Sequence, residues 1–301
     1  MRIVLTNLSN KLFENSRSRL NESARKFGIK EIRSLDFEEL KTSSFYTENQ
    51  EILDQPNGIG YWLWKPFIIL ESMKTLSEGD IVIYSDCGIE IIDRLEALIS
   101  LCSESEPVLL FGNGNFTNSM WIKRDCFVLM NCDSELYWKG PHCDAAFSLF
   151  RKNKLSLQFL GDWLEYARDK RILTDLANTC GKRNLRGFLE HKWDQAILSL
   201  LAQKYQFPLY RMPSQFGNHY KIPRFRRENE FNCINQSVQV QVNYYAIIPY
   251  YNSDYPQLLN HHRTKNNQKP VNKTAFNRAI RIAGKLKVYI KNRLPNPFLK
   301  S

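Results

Sequence analysis

The run Ile81-Val-Ile-Tyr84 follows a turn at Gly79-Asp80 and closes on Ser85-Asp86-Cys87-Gly88. Upstream stands Gly58-Ile-Gly-Tyr-Trp-Leu-Trp-Lys65-Pro66, in which proline is placed to open a helix at its first turn. A short run that is apolar at every position is the pattern of a strand covered on both faces. A helix feeding such a strand predicts an α/β layered fold with a mainly parallel sheet. In open sheets of that kind ligands gather outside the carboxyl ends of the strands. Asp86 therefore stands where a metal, a phosphate or a sugar would be met.

The rest of the chain alternates in the same way. Residues 2–5 read as a first strand, 13–27 as a helix with a polar face rich in Asn, Ser and Arg, and 66–75 as the proline-opened helix. Residues 93–102 look helical and 108–111 form a strand after Pro107. The Gly112-Asn113-Gly114-Asn115 cluster suits a turn, with 120–122 a strand leading into 125–130. With 301 residues, 43% of them hydrophobic, the chain can bury a real core. It has neither GxGxxG after the first strand nor GxxxxGKS/T, which excludes the two commonest nucleotide-phosphate fingerprints. No internal repeat or low-complexity linker precedes residue 263.

Charge divides the chain in two. The net charge is +11, yet residues 263–301 hold eleven Lys or Arg and no acid, leaving 31 basic against 31 acidic residues in 1–262. A neutral body with a polybasic appendage argues against a basic nucleic-acid groove across the domain, and no nucleic acid is expected as a partner. On a helical wheel of residues 274–293, Ala275, Phe276, Ala279, Ile280, Ala283, Leu286 and Ile290 gather on one side. Arg278, Arg281, Lys285 and Lys291 fall mostly opposite, while Lys287 and Val288 break the pattern. Such a helix is suited to an anionic membrane surface; a helix docked on the body or a solvated tail are the alternatives.

No stretch approaches the ~18 consecutive apolar residues of a membrane span, and the first residues are too short an apolar run for a signal peptide. The seven cysteines, Cys87, Cys102, Cys126, Cys132, Cys143, Cys180 and Cys233, form no CxxC pair. Scattered thiols without an export signal fit a reduced, cytoplasmic setting, here peripheral on the inner face of the membrane.

Taken in order, a first strand ending in Thr6-Asn7, the Gly-Tyr-Trp-x-Trp-Lys65-Pro block, the Tyr84-Ser85-Asp86-Cys87-Gly88 strand end and His191-Lys-Trp-Asp194-Gln195 resemble sugar-nucleotide-dependent glycosyltransferases of the GT-A fold. Bacterial capsule and lipopolysaccharide enzymes are the nearest resemblance, over residues 1–262. It implies a GT-A type, Rossmann-like mixed sheet flanked by helices as a catalytic domain, with 263–301 as a tail. It further implies a nucleoside-diphosphate-sugar donor and a glycan or lipid-linked glycan acceptor. A noncatalytic glycan- or nucleotide-binding protein is the alternative, kept open because the family's Asp-x-Asp is here Ser85-Asp86-Cys87, with one carboxylate.

The resemblance also distributes roles. Thr6, Asn7, Lys65, Asp86 and Gly88 fall on the donor and its diphosphate, and Trp64, Asn113 and Asn115 on the donor or acceptor sugar. Asp86 with a late histidine, His262 of the His261-His262 pair, would hold Mn²⁺ or Mg²⁺. Asp194 and Gln195 fall on the reaction, the aspartate either deprotonating the acceptor hydroxyl or binding donor-sugar hydroxyls. From spacing alone, Asp194 borders a stripe of Leu189, Trp193, Ile197, Leu200 and Leu201 near a helix start, so it can point into a cleft. Lys65, beside a helix N-terminus, suits a phosphate. Trp62 and Trp64 can equally be packing, and Arg171 with Asp175 reads as a surface ion pair.

Overall fold

A computed structural model describes residues 1–217 and 252–262. The expected tail helix within 263–301, and Cys233, lie outside the described residues.

Among the described residues eight strands are formed: β1 (Ile3–Ser9), β2 (Glu31–Asp36), β3 (Ile81–Ser85), β4 (Ile89–Ile91), β5 (Val108–Thr117), β6 (Pro141–Arg151), β7 (Leu209–Arg211) and β8 (Leu259–His261). Six of them make one sheet in the order β2-β1-β3-β6-β5-β7, and β4 pairs with β8 in a second, two-stranded sheet. β1 pairs in parallel with β2 and β3, and β5 with β7, whereas β6 is antiparallel to both β3 and β5. The fold is thus α/β with a mixed, mainly parallel sheet, in which β6 alone runs against the other five strands.

The apolar character of β3 at every position follows from its place in the middle of this sheet. Val82 and Tyr84 face one core with Val4, Leu8, Val108 and Leu110. Ile81 and Ile83 face the other, with Leu5, Leu109 and Phe111. The alternation of side chains along a strand delivers successive residues to opposite layers. Helices Trp64–Lys74, Lys154–Arg168 and Trp193–Lys204 cover the first face through Ile68, Ile69, Met73, Phe159, Trp163, Ile197 and Leu201. Helix Glu14–Lys26, through Leu20 and Ala24, and the β4–β8 pair, through Ile89, Ile91 and Leu259, cover the second.

Several local expectations are corrected. Residues 112–115 lie inside β5 rather than in a turn, because β5 continues to Thr117, with its pairing to β6 shifted between Gly112 and Thr117. Residues 120–122 do not form a strand; Asn118–Trp121 is a short helix. The stripe from Leu189 is shorter than its spacing suggests, since the helix begins at Trp193. Arg171 pairs with Asp169 at 2.6 Å, and Asp175 instead accepts a hydrogen bond from Trp193. The described cysteines are all free thiols, buried except for Cys180.

Candidate active site

The carboxyl end of β3 brings two buried charges, Lys65 and Asp194, beside the partly exposed Asp86. The helices Trp64–Lys74 and Trp193–Lys204 both begin here, and each presents an ionisable residue in its first turn, Lys65 and Asp194. The two meet at 2.6 Å, Lys65 Nζ to Asp194 Oδ2, with both side chains almost fully buried. Lys65 Nζ also donates to the Ala145 carbonyl at 3.0 Å and lies 3.6 Å from Asp86 Oδ1. The Tyr84 hydroxyl donates to that same Asp86 oxygen at 2.6 Å.

The sheet supplies the remaining wall. Because β6 is antiparallel to β3, its early residues stand beside the end of β3: Ser85 pairs with Phe147, and the Asp86 amide donates to the Ala146 carbonyl at 2.7 Å. Between Leu109 and Phe111 of β5 the partner on β6 jumps from Leu149 to Asp144. Bulges of this sort re-aim groups beside functional sites, and this one brings Asp144 and the Ala145 carbonyl to Lys65. Ionic surroundings set the protonation states. Burial acts to lower the Lys65 pKa, but Asp194, Asp86 and Asp144 outweigh it, so the ammonium is held on more tightly than in water. Burial pushes the Asp194 carboxyl up to about 6, against the pull of Lys65 and with a further push from Asp86. Cys87, next to Asp86, is raised to about 12, chiefly by burial, and is no nucleophile at neutral pH.

The approach to this ion pair is built from strained backbone. Gly58, Ile59, Gly60, Tyr61 and Trp62 all have positive φ, at 56°, 53°, 81°, 53° and 60°, a full left-handed turn leading into Lys65. Left-handed geometry at a non-glycine residue costs about 1–2 kcal/mol, so Ile59, Tyr61 and Trp62 together store several. Gly60 has no alternative, since a Cβ there would lie 2.5 Å from Leu53 Cα. Trp193, the residue before Asp194, also has positive φ, at 45°. The two left-handed tryptophans stack, with ring centroids 5.2 Å apart and planes at 29°. Lys65 Nζ sits 6.0 Å from the Trp62 ring and 5.2 Å from that of Tyr84. Strain of this kind collects at functional sites, where surrounding contacts over-determine it.

Of the residues singled out from sequence, Lys65, Asp86 and Asp194 converge. Lys65, expected on a phosphate, is turned onto carboxylates. Gln195 is adjacent, its Nε2 buried without a partner among the described residues. The Gly88 carbonyl accepts from the His262 amide at 2.8 Å, and Ile89 pairs with His261, so β8 delivers the histidine pair beside the strand end that carries Asp86. Thr6 and Asn7 are buried one strand away. The Thr6 hydroxyl donates to the Arg33 carbonyl, and Asn7 bridges Asn21 and Ser34. Trp64 packs in the core, its indole N–H on the Gly58 carbonyl at 3.2 Å. Asn113, half-buried in β5, makes none of the bonds that join Lys65, Asp86 and Asp194; the side chain of Asn115 is outside the described part. His191 serves packing: it accepts from the Lys123 amide and donates to the Ile172 carbonyl, and burial drops its pKa to about 3.

Sequence reasoning missed Tyr84 as a hydrogen-bond partner, Asp144, and the left-handed turn. The turn alone had a signal, the Gly58-x-Gly60 pair. Among the described residues no three His, Cys, Asp or Glu side chains converge as a metal cluster.

No family model matches the sequence, and no curated protein matches it. Solved structures similar to it include mouse xyloside xylosyltransferase 1, at a TM-score of 0.45 and 11% identity over 90% of this chain and 100% of that one. The WbbM bifunctional glycosyltransferase aligns at 0.48 and 9%, over 96% of this chain and 51% of that one. The galactosyltransferase LgtC, in complex with donor and acceptor sugar analogues, aligns at 0.42 and 13%, over 93% and 95%.

Proposed function

We propose that the chain is a glycosyltransferase that moves a sugar from a nucleoside-diphosphate sugar onto a glycan. The observation that carries this reading is the buried Lys65–Asp194 pair in contact with Asp86 at the carboxyl end of β3. An α/β sheet offers that position to ligands, and a strained, aromatic-lined turn stands beside it.

The transfer breaks the bond between the anomeric carbon and the diphosphate oxygen, which keeps the electron pair, and forms one to the acceptor oxygen, whose proton must go to a base. Asp194 is suited to that proton. A carboxyl near pKa 6 is ionised at neutral pH yet a stronger base than an ordinary aspartate. Lys65 keeps it ionised and fixes its direction, and the helix N-terminus behind it favours the negative charge.

Three carboxylates, Asp86, Asp144 and Asp194, act on one ammonium, Lys65, and this surplus of negative charge suits a cation. Asp86 and His262, an oxygen and an imidazole donor on chain segments joined by the His262 amide on the Gly88 carbonyl, would hold Mn²⁺ or Mg²⁺ together with the donor diphosphate. When bound, such an ion supplies charge neutralisation for the leaving diphosphate. The proposed setting is the cytoplasmic face of a membrane, with a lipid-linked surface-polysaccharide acceptor and residues 263–301 on anionic lipid. Its support is the eleven cations of that tail without one acid.

Donor turnover by wild type, Asp86→Ala and Asp194→Asn tests the reading. Losses of about a hundredfold or more are expected in both variants. Equal rates in all three would sink it.

A further inference from the structure

Beside the Trp193 ring lies a half-open surface cavity of about 320 Å³, lined by Glu51, Gln55, Tyr61, Lys170, Thr174 and Asp175, with Ile52 and Leu176 completing it; Glu51, Gln55, Lys170, Asp175 and Leu176 are exposed. None of these residues belongs to the Lys65–Asp194 group, yet the two are joined through Trp193. Its indole N–H donates to Asp175 Oδ1 at 2.9 Å, and the next residue in the chain is Asp194. Tyr61 closes the other side, 6.3 Å from the Trp193 ring and held by the left-handed turn.

The lining decides what can enter. Its one cation, Lys170, is already paired with Glu51 at 2.5 Å, while Asp175 adds a second carboxylate. That balance repels a diphosphate. An aromatic ring with carboxylate, amide and hydroxyl groups around it is instead matched to a neutral polyol, whose C–H face lies on the ring and whose hydroxyls donate to the acids. The volume falls at the low end of the ~300–1,000 Å³ of small-molecule sites, enough for one or two sugar rings. Resting on the proposed transfer function, we infer that this cavity holds an uncharged sugar unit of the acceptor glycan other than the one that reacts, one aromatic wall away from Asp194. The strain in the Gly58–Trp62 turn then has a use, because it fixes Tyr61 against the acceptor and Trp62 against the ion pair at once.

Saturation-transfer NMR on the full chain, with maltose, cellobiose, lactose and gentiobiose as probes and UDP and GDP added in separate arms, tests this. Wild type should bind at least one disaccharide, undisplaced by nucleotide. Gln55→Trp, which fills the cavity from an exposed position, should weaken that binding at least tenfold with an unchanged thermal midpoint. The milder Asp175→Asn should weaken it about tenfold through loss of a charged acceptor. No disaccharide bound by wild type, equal binding in wild type and both variants, or displacement by nucleotide would overturn the inference. Disaccharide binding without any nucleotide binding would uphold the cavity and remove the transfer function instead.

Discussion

Replacing Asp194 with asparagine keeps the shape of the site and removes a buried, strongly perturbed charge. Burial raises the Asp194 carboxyl from 3.8 to about 6. A group whose folded pKa is raised contributes stability that is complete below its unfolded value and lost as pH climbs through its folded one. Ionising Asp194 therefore withdraws stability between about pH 4 and pH 6. At ~1.4 kcal/mol per unit the withdrawal amounts to about 3 kcal/mol. The side chain is buried, so solvent screening takes little of it. Urea unfolding of wild type and Asp194→Asn across pH 4–8 isolates this group, since the other carboxylates are common to both chains. The difference between the two curves should change by about 3 kcal/mol up to pH 6 and be flat above it. Wild-type donor turnover should show an acid limb in the same range. A constant difference across the series would refute both the burial argument and the role of Asp194 as base.

Three further outcomes follow from the geometry. Gly60→Ala places a Cβ 2.5 Å from Leu53 Cα at a φ of 81°, so the urea midpoint should fall by an amount equivalent to at least ~2 kcal/mol, the scale of a strained backbone position. A double-mutant cycle on Trp62→Ala and Trp193→Ala should return a coupling of about 0.5–1.5 kcal/mol in unfolding free energy, from the stacked rings; additive effects would dissolve the stack as a bridge between Lys65 and Asp194. Deleting residues 263–301 should abolish binding to anionic liposomes and spare turnover on a soluble acceptor, and unchanged liposome binding would remove the membrane role.

Three strands of the main sheet, β1, β3 and β5, were legible because covered strands read as apolar runs, whereas β2, β6 and β7 were not picked out. Ile81–Ser85 forms within one residue of expectation, and the helix before it begins two residues earlier than its proline suggests. The sequence misled where propensity was local: the Gly-Asn repeat at 112–115 is turn chemistry, yet pairing with β6 carries β5 through it. Lys65, Asp86 and Asp194 were legible one at a time, as a lysine before proline, an acid after a strand and an acid near a helix start. Their mutual contact was not, since Lys65 and Asp194 lie far apart in the chain and meet only when two helices start at one strand end. Lys65 was read as a phosphate contact because spacing does not reveal burial. Asp144 had no motif at all; the jump in β6 pairing that brings it to Lys65 is a property of two strands, not of one.

The β4–β8 pair has a consequence for the order in which the molecule assembles. Three residues of each strand join segments from distant parts of the chain, Ile89 with His261 and Ile91 with Leu259. So few contacts cannot offset the entropy of closing so long a loop until the main sheet has already drawn the ends together. The strip that sets His262 against Gly88 should be the last to zip and the first to fray. A nascent or partly unfolded chain would then hold Lys65 and Asp194 in place while the Asp86 end stays open. In pulse-labelled exchange, the amide of Ile92, which donates to the Leu258 carbonyl at 2.8 Å, would gain protection after those of β1 and β3.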